Sequence, residues 1–135
     1  MTQEQSRLGT EFIQKARELL LHAAGVRETV SYGRLMSMMG ISRGRPLFDL
    51  ILKVDRYERS KGAPGFAAII VRKDTGYPGG GFFCDDELPE SLRRPFSRAS
   101  DPKLTAAEMN YVKNEQRKIW EYYASAALGD RQNQL

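Results

Sequence analysis

The stretch Ser31-Tyr-Gly-Arg-Leu-Met-Ser-Met-Met-Gly-Ile-Ser-Arg-Gly-Arg-Pro46 decides the fold. Ser31 is a favoured helix N-cap, because its hydroxyl can accept a backbone N–H of the first turn, and Gly40 can end a helix in the left-handed conformation. A short helix is therefore predicted between them. Pro46 fits the first position of a helix, so a second helix is expected to begin directly after the basic turn 41–45. The stretch predicts a helix, a tight basic turn and a second helix.

The preceding and following segments predict another helix and a hairpin. From Gln3 to Ala24 apolar residues recur at the spacing of one helical face, and Gly25 ends the pattern. Residues 66–72 have the apolar and β-branched composition of a strand, and many turn-forming residues follow them. We expect Phe82-Phe83-Cys84 to return as the second strand of a hairpin, which would be the wing of a winged helix.

The C-terminal part predicts a long helix. Thr105 and Glu108 have the spacing of a capping box, and packing residues continue to about Ser125. Together the elements predict an α+β, mainly α protein: a winged helix-turn-helix with an N-terminal helix and a long C-terminal helix. Residues 1–128 would form a single domain, and residues 129–135 a frayed tail.

Length and composition indicate a small globular protein. The chain has 135 residues, which suits one domain, and its 41% hydrophobic and 28% charged residues exclude a disordered chain and a membrane protein. The N-terminus has no basic start followed by an apolar run, which predicts a cytoplasmic protein without membrane contact. With one cysteine, Cys84, and one histidine, His22, the sequence favours neither a disulfide nor a zinc site, and no metal or cofactor is expected.

The basic residues are concentrated where the two central helices are predicted. Between Arg27 and Lys61 eight basic residues stand against four acidic ones, so this segment carries the same net charge, +4, as the whole chain. A protein that binds nucleic acid needs cations at such a place, because each neutralised phosphate releases a condensed counterion. The alternative is that these side chains only solubilise a polar helix face. The nucleic-acid-binding hypothesis, with duplex DNA as the expected ligand, assigns phosphate contacts to Tyr32, Arg34, Arg43, Arg45, Lys53, Arg56, Arg72 and Lys73.

Three stretches carry a resemblance to a known family. They are Val30-Ser-Tyr-Gly-Arg-Leu35, the strand-like Ala68-Ile-Ile-Val-Arg72, and Gly76-Tyr-Pro-Gly-Gly-Gly81. Over residues 28–83 this order resembles the DNA-binding domain of the O6-alkylguanine-DNA alkyltransferases and their alkyltransferase-like relatives. The resemblance implies that Tyr32 contacts a phosphate beside an extruded nucleotide. It also implies that Arg45 or Arg43 fills the gap in the base stack and that the glycine segment lies near a pocket.

The sequence departs from that family at the centre of its chemistry. Alkyl transfer needs a thiolate in a Pro-Cys-His-Arg context, and this chain has Val71-Arg-Lys-Asp74 at that place. The helix before the strand is also several residues longer than in the family. Cys84 lies beyond the predicted hairpin with no histidine near it in sequence. The sequence therefore predicts a protein that is not an enzyme and has no alkyltransferase activity.

Several singled-out residues have a structural alternative. Tyr32 could be a core aromatic whose hydroxyl bonds a backbone carbonyl. Cys84 fits a small apolar filler better than a nucleophile, and His22 fits a partner of the helix dipole better than a base. The run Gly79-Gly-Gly81 could cradle a phosphate, but a flexible wing tip explains it as well, because the lysine and serine or threonine of a P-loop are absent. The clustered carboxylates could form an acid/base or metal site or a solvated acidic patch: Asp85, Asp86, Glu87 and Glu90.

A second functional hypothesis belongs to another class. A winged helix can serve as a scaffold for protein contacts, since fold does not fix function. The C-terminal helix carries Trp120, Tyr122 and Tyr123, and two adjacent tyrosines cannot both face one core. At least one is expected to be exposed, where it could meet a protein partner or a second copy of the chain. Repair, regulation and phage defence are equally compatible processes for the nucleic-acid hypothesis.

Overall fold

The computed structural model describes residues 3–85, 88–101 and 103–133, with the side chains of residues 10–125 inside these ranges. This part of the chain forms a mainly helical α+β protein, as predicted. The α-helices are α1 (Gln3–Gly25), α2 (Tyr32–Met39), α3 (Arg45–Ser60) and α4 (Ala106–Asn133), and the strands are β1 (Val30–Ser31) and β2 (Ile70–Val71).

The predicted order of a short helix, a tight basic turn and a second helix is confirmed in its local details. The Ser31 side chain accepts the backbone N–H of Arg34 at 3.1 Å and caps α2. Gly40 ends α2 with φ 65°, a left-handed conformation that glycine adopts without steric cost. Helix α3 begins at Arg45, so Pro46 lies in its first turn. Backbone N–H groups of the first turn have no partner within the helix, so proline, which lacks an N–H, loses no helical hydrogen bond there.

The predicted hairpin is wrong. β2 pairs in parallel with β1, with Val30 opposite Ile70 and Ser31 opposite Val71, so the strand partner precedes α2 in the chain. The expected return strand, Phe82 to Cys84, belongs to the 3-10 segment Gly80–Cys84. Strands point successive side chains to opposite faces, whereas Phe82 and Phe83 both pack into apolar clusters with ring centroids 5.0 Å apart. A tight turn that buries Phe83 and partly buries Phe82 therefore replaces the strand.

The main core lies where α1, α3 and α4 meet the segment before β2. Phe66, Ile69 and Ile70 are fully buried there, and Phe66 stacks on Tyr123 of α4 with ring centroids 4.9 Å apart. The buried amide of Gln116 in α4 donates to the carbonyl of Ala68 at 3.0 Å. A smaller cluster of Phe83, Leu88 and Val112 joins the segment after the glycines to α4. The short sheet and the glycine-rich segment are thus held against the helices from two sides.

Helix α4 begins as predicted and extends further. The backbone N–H of Thr105 donates to Glu108 at 2.8 Å, and that of Glu108 donates to the Thr105 hydroxyl at 3.1 Å, which is the expected capping box. The helix continues past Ser125 to Asn133, because Ala126-Ala-Leu128 is a strong helix-forming sequence. Residues 129–133 of the predicted tail are therefore helical in backbone, and 134–135 lie outside the described residues. Within the described ranges, none of the helices has the length and apolarity needed to cross a membrane.

Candidate nucleic-acid interface

Helix α3 presents two of the predicted cations in one row on its solvent side. The Arg45 side chain is 91% exposed, and its nearest carboxylate is Asp49, one turn later, at 4.0 Å. Arg56 is exposed about three turns after Arg45, so both side chains project in nearly the same direction. Lys53 is exposed beside this row, on the flank of α3 that faces Phe12 of α1. The row therefore holds Arg45 and Arg56, with Lys53 at its edge.

The first helix of the pair and the turn add two more exposed cations. Arg34 lies in the first turn of α2, where its backbone N–H is used by the cap and its side chain is exposed. Arg43 is exposed in the turn between the helices. Gly44 follows it with φ 97°, a conformation that residues with a Cβ rarely adopt, and this brings the chain sharply into α3. The local backbone thus places a cation directly before the start of the second helix.

Tyr32 joins α2 to the glycine-rich segment. Its ring packs on the core, and its hydroxyl accepts the backbone N–H of Gly79 at 3.0 Å. The alternative prediction was a core tyrosine whose hydroxyl bonds a backbone carbonyl. Its partner is wrong, because the hydroxyl bonds a backbone N–H, which donates to it. Burial raises the pKa of Tyr32 and outweighs the opposing effects of the Gly79 N–H and of the positive charge on Arg72. The hydroxyl keeps its proton at neutral pH and can donate it to a further acceptor such as a phosphate oxygen.

Arg72 and Lys73 follow β2 on the side of the molecule that holds Tyr32. Arg72 forms a bidentate pair with Asp74, at 2.9 Å from Nε and 2.8 Å from Nη2, and this pairing raises its pKa. The pair is solvent-exposed, so a phosphate could compete for the same guanidinium. Lys73 is exposed in the turn. Arg72 would have to release Asp74 to bind a phosphate, whereas Lys73 would not.

The sequence prediction missed how firmly the glycine segment is enclosed. A Cβ on Gly80 would lie 2.4 Å from the carbonyl oxygen of Ala99 and 2.8 Å from the Arg94 guanidinium, so only glycine allows this approach. The Arg94 side chain is buried and bonded to Glu108 of α4. Phe96, between these contacts, is 81% exposed. The only sequence signal was an aromatic residue among arginines in a segment interpreted as an extended connection.

The structure shows the environment of most residues that were considered for enzyme chemistry. Burial raises the pKa of Cys84, which disfavours the thiolate that a nucleophile requires. His22 is exposed in the last turn of α1. Of the acidic run, Asp86 and Glu87 lie outside the described residues. Among the residues that the structure describes, no group of three or more metal-ligating side chains is arranged to hold a metal ion.

The aromatic residues of α4 divide between packing and surface. The Trp120 indole N–H donates to the carbonyl of Glu28 at 3.0 Å. The buried Tyr123 hydroxyl lies 2.6 Å from the carbonyl of Pro64 and 3.0 Å from the buried Glu58 carboxylate. Tyr122 is 44% exposed, as the prediction for the tyrosine pair requires. Two of the three aromatic residues in the protein-contact hypothesis are thus engaged inside the molecule.

No protein family matches the sequence, and neither the curated proteins nor the solved structures include a detectable match.

Proposed function

We propose that this protein binds duplex DNA through the helix-turn-helix formed by α2 and α3, and that it does so without catalysing a reaction. The observation that carries the proposal is the exposed row of Arg45 and Arg56 on α3, the helix that follows the tight basic turn. The second helix of such a pair docks against the duplex, and cations on it gain free energy from counterion release. Arg34 and Arg43 extend the same charge to α2 and the turn.

Tyr32, the first residue of α2, supports the proposal as a phosphate contact. A protonated hydroxyl that already accepts the Gly79 N–H is a fixed donor, and phosphate oxygens accept such bonds. The corresponding tyrosine of the alkyltransferases that the sequence resembles contacts a phosphate. We assign the same contact to Tyr32.

The glycine-rich loop takes the place of a wing in this proposal. Residues 72–84 leave β2 and turn back through the 3-10 segment instead of pairing as a hairpin. Lys73, and Arg72 in exchange with Asp74, would reach the backbone beside the helix pair. A loop suffices for this role, because phosphate contacts fix position and do not read base edges.

The test is a binding titration against random duplex DNA over a range of salt concentrations. Six phosphate contacts predict a slope of about −5 in a plot of log affinity against log salt, and each lost contact lowers it by about 0.9. Arg45→Ala and Arg56→Ala should each weaken binding to all sequences alike and reduce the slope by one such step. Lys118→Ala is the matched control, since Lys118 is exposed on α4 and should leave the slope unchanged.

Two results would contradict the proposal. One is binding that stays weak at low salt or shows no salt dependence. The other is the recovery of a dominant protein partner with no retained nucleic acid.

A further inference from the structure

Phe96 is displayed on a rigid part of the molecule. The buried Arg94 guanidinium uses all five of its N–H donors: two on the Glu108 carboxylate, at 2.6 and 2.8 Å, and three on the carbonyls of Arg98, Asp101 and Lys103. Residues 98, 101 and 103 are therefore bound through their carbonyls to one side chain that α4 holds in place. These charge-assisted bonds leave the ring of Phe96 outside them.

The ring of Phe96 has no packing role within the described structure. It is 81% exposed, more than any other large hydrophobic side chain among the described residues. Exposing an aromatic ring forgoes the free energy that burial would supply. A single exposed ring on a fixed backbone is the geometry of a stacking platform, on which a planar group can lie.

The position of this segment points to the class of that planar group. The glycine segment links it to Tyr32: Gly79 bonds the Tyr32 hydroxyl, and Gly80 lies against the carbonyl of Ala99 in the same turn region as Phe96. Exposed arginines stand on both sides of the ring, Arg93 three residues before it and Arg98 two residues after it. Within the described part of the chain, the Arg93 side chain makes one hydrogen bond, from its Nε–H to the carbonyl of Leu88.

Acidic and basic side chains both lie near Phe96 in the sequence, but they are placed differently. The Asp101 carboxylate accepts the backbone N–H of Lys103 at 3.0 Å, so it is turned toward its own loop, and Glu90 precedes the two arginines in a separate 3-10 turn. Arg98 belongs to the same 3-10 turn as Phe96. The side chains closest to the ring in sequence therefore favour a partner that combines flat rings with negative charge.

We propose that Phe96 stacks on an unpaired nucleobase of a single-stranded extension that continues from the duplex bound by α2 and α3. The inference rests on the proposed function and adds the form of nucleic acid that this protein prefers: duplex next to single strand. Arg93 and Arg98 would contact the phosphates on either side of the stacked base. Base-on-aromatic stacking tolerates any sequence, because every base has a flat face.

The experiment compares two ligands: a blunt duplex of about 16 base pairs, and the same duplex with a single-stranded extension of about six nucleotides, within the length that stacking proteins cover. The measured quantity is the ratio of the two affinities. For the wild-type protein we expect the extended ligand to bind about tenfold more tightly, as one stacked base supplies. Phe96→Ala should bring the ratio close to one, and Phe96→Trp should keep it.

A spectroscopic arm separates stacking from indirect effects. In Phe96→Trp the added indole should be quenched by the extended ligand beyond the change shown by wild-type protein, whose only tryptophan is Trp120. Tyr122→Ala removes an exposed aromatic on α4 and serves as the matched control, with an unchanged ratio.

The outcomes distinguish this inference from the proposed function. Equal affinity of the wild-type protein for both ligands, or an unchanged ratio in Phe96→Ala, overturns the stacking contact and leaves duplex binding standing. Absence of binding to either ligand overturns both.

Discussion

The Tyr32 hydroxyl accepts the backbone N–H of Gly79 at 3.0 Å, and this bond joins two segments that are far apart in the chain. Tyr32→Phe keeps the ring and leaves the Gly79 N–H without this acceptor. We expect the free energy of unfolding to fall by about 1 kcal/mol, the net value of one such hydrogen bond. Urea unfolding measures it, and Tyr122→Phe, on an exposed ring, should be neutral.

The same variant separates two roles of Tyr32. If the hydroxyl also donates to a phosphate, Tyr32→Phe should weaken DNA binding by about 1 kcal/mol, the net value of one hydrogen bond. The salt slope should stay unchanged, because the protonated hydroxyl carries no charge and releases no counterion. A lower stability with an unchanged DNA affinity would assign Tyr32 to folding alone.

Two neighbouring glycines should respond very differently to alanine. At Gly80 a Cβ would meet the backbone carbonyls of Ala99 and Asp101 at 2.4 and 2.9 Å, whereas at Gly81 it would meet nothing within 4 Å. Backbone cannot move aside as a side chain can, so Gly80→Ala should destabilise the protein by about 1 to 3 kcal/mol, the usual cost of overpacking. Gly81→Ala should remain within about 0.5 kcal/mol of wild type, as surface substitutions do. Thermal unfolding of the pair tests the close approach, and equal stabilities would contradict it.

The sequence signals that succeeded are local ones. Ser31 and Gly40 fix the ends of α2 through their own backbone and side-chain bonds, and Thr105 with Glu108 fixes the start of α4. Each of these interactions spans only a few residues, so its spacing is visible in the chain. The predicted helices followed from such signals.

The signals that failed depend on contacts between distant residues. Phe82 and Phe83 have strand-like composition, but both are drawn into apolar clusters that include residues of α4. The parallel partner of β2 lies in β1, on the far side of α2 and α3 in the chain. The burial of Arg94 similarly depends on its ion pair with Glu108 of α4. No sequence pattern around Arg94 indicates this contact. The exposed cations could be predicted from charge, and Phe96 could not.

Arg94 should be the most sensitive position in the segment that carries Phe96. Both Arg94 and Glu108 are buried, and removing one partner of a buried ion pair costs about 3 to 5 kcal/mol. Arg94→Met should lower the free energy of unfolding by about that amount in urea. Arg93→Met is the matched control at the preceding position: its side chain is exposed, and we expect a loss of about 1 kcal/mol or less for its bond to Leu88. Similar losses in both variants would contradict the role assigned to Arg94.

Acid should weaken this same pair. The hydrogen bonds from Arg94 lower the pKa of Glu108 below its ordinary value of 4.5 and outweigh the effect of burial. Because the folded-state pKa is the lower one, the stabilisation is complete above the unfolded value and is lost as the pH falls through the folded value. Wild-type protein should therefore lose more stability than Glu108→Gln when the pH is lowered from 5 to about 3. Parallel pH profiles would show that Glu108 does not carry this dependence.

Asp55 should act in the opposite direction. Burial raises its pKa from 3.8 to about 6, against the backbone N–H of Phe66 at 2.6 Å, the positive charge of Arg59 and the N–H of Ala67. The folded-state pKa is now the higher one, so the folded protein holds this proton more tightly, and stability falls as the pH rises from the unfolded value through about 6.

Asp55→Asn isolates this contribution. The difference between the two pKa values corresponds to about 3 kcal/mol, which wild-type protein should lose relative to the variant between acid and neutral pH. Urea unfolding at pH values of about 4 and about 8 measures it, since all other titrating groups are shared by the two proteins. We expect the variant to gain on wild type as the pH rises. A constant difference across this range would mean that the amides of Phe66 and Ala67 hold Asp55 ionised throughout, and that burial does not dominate its titration.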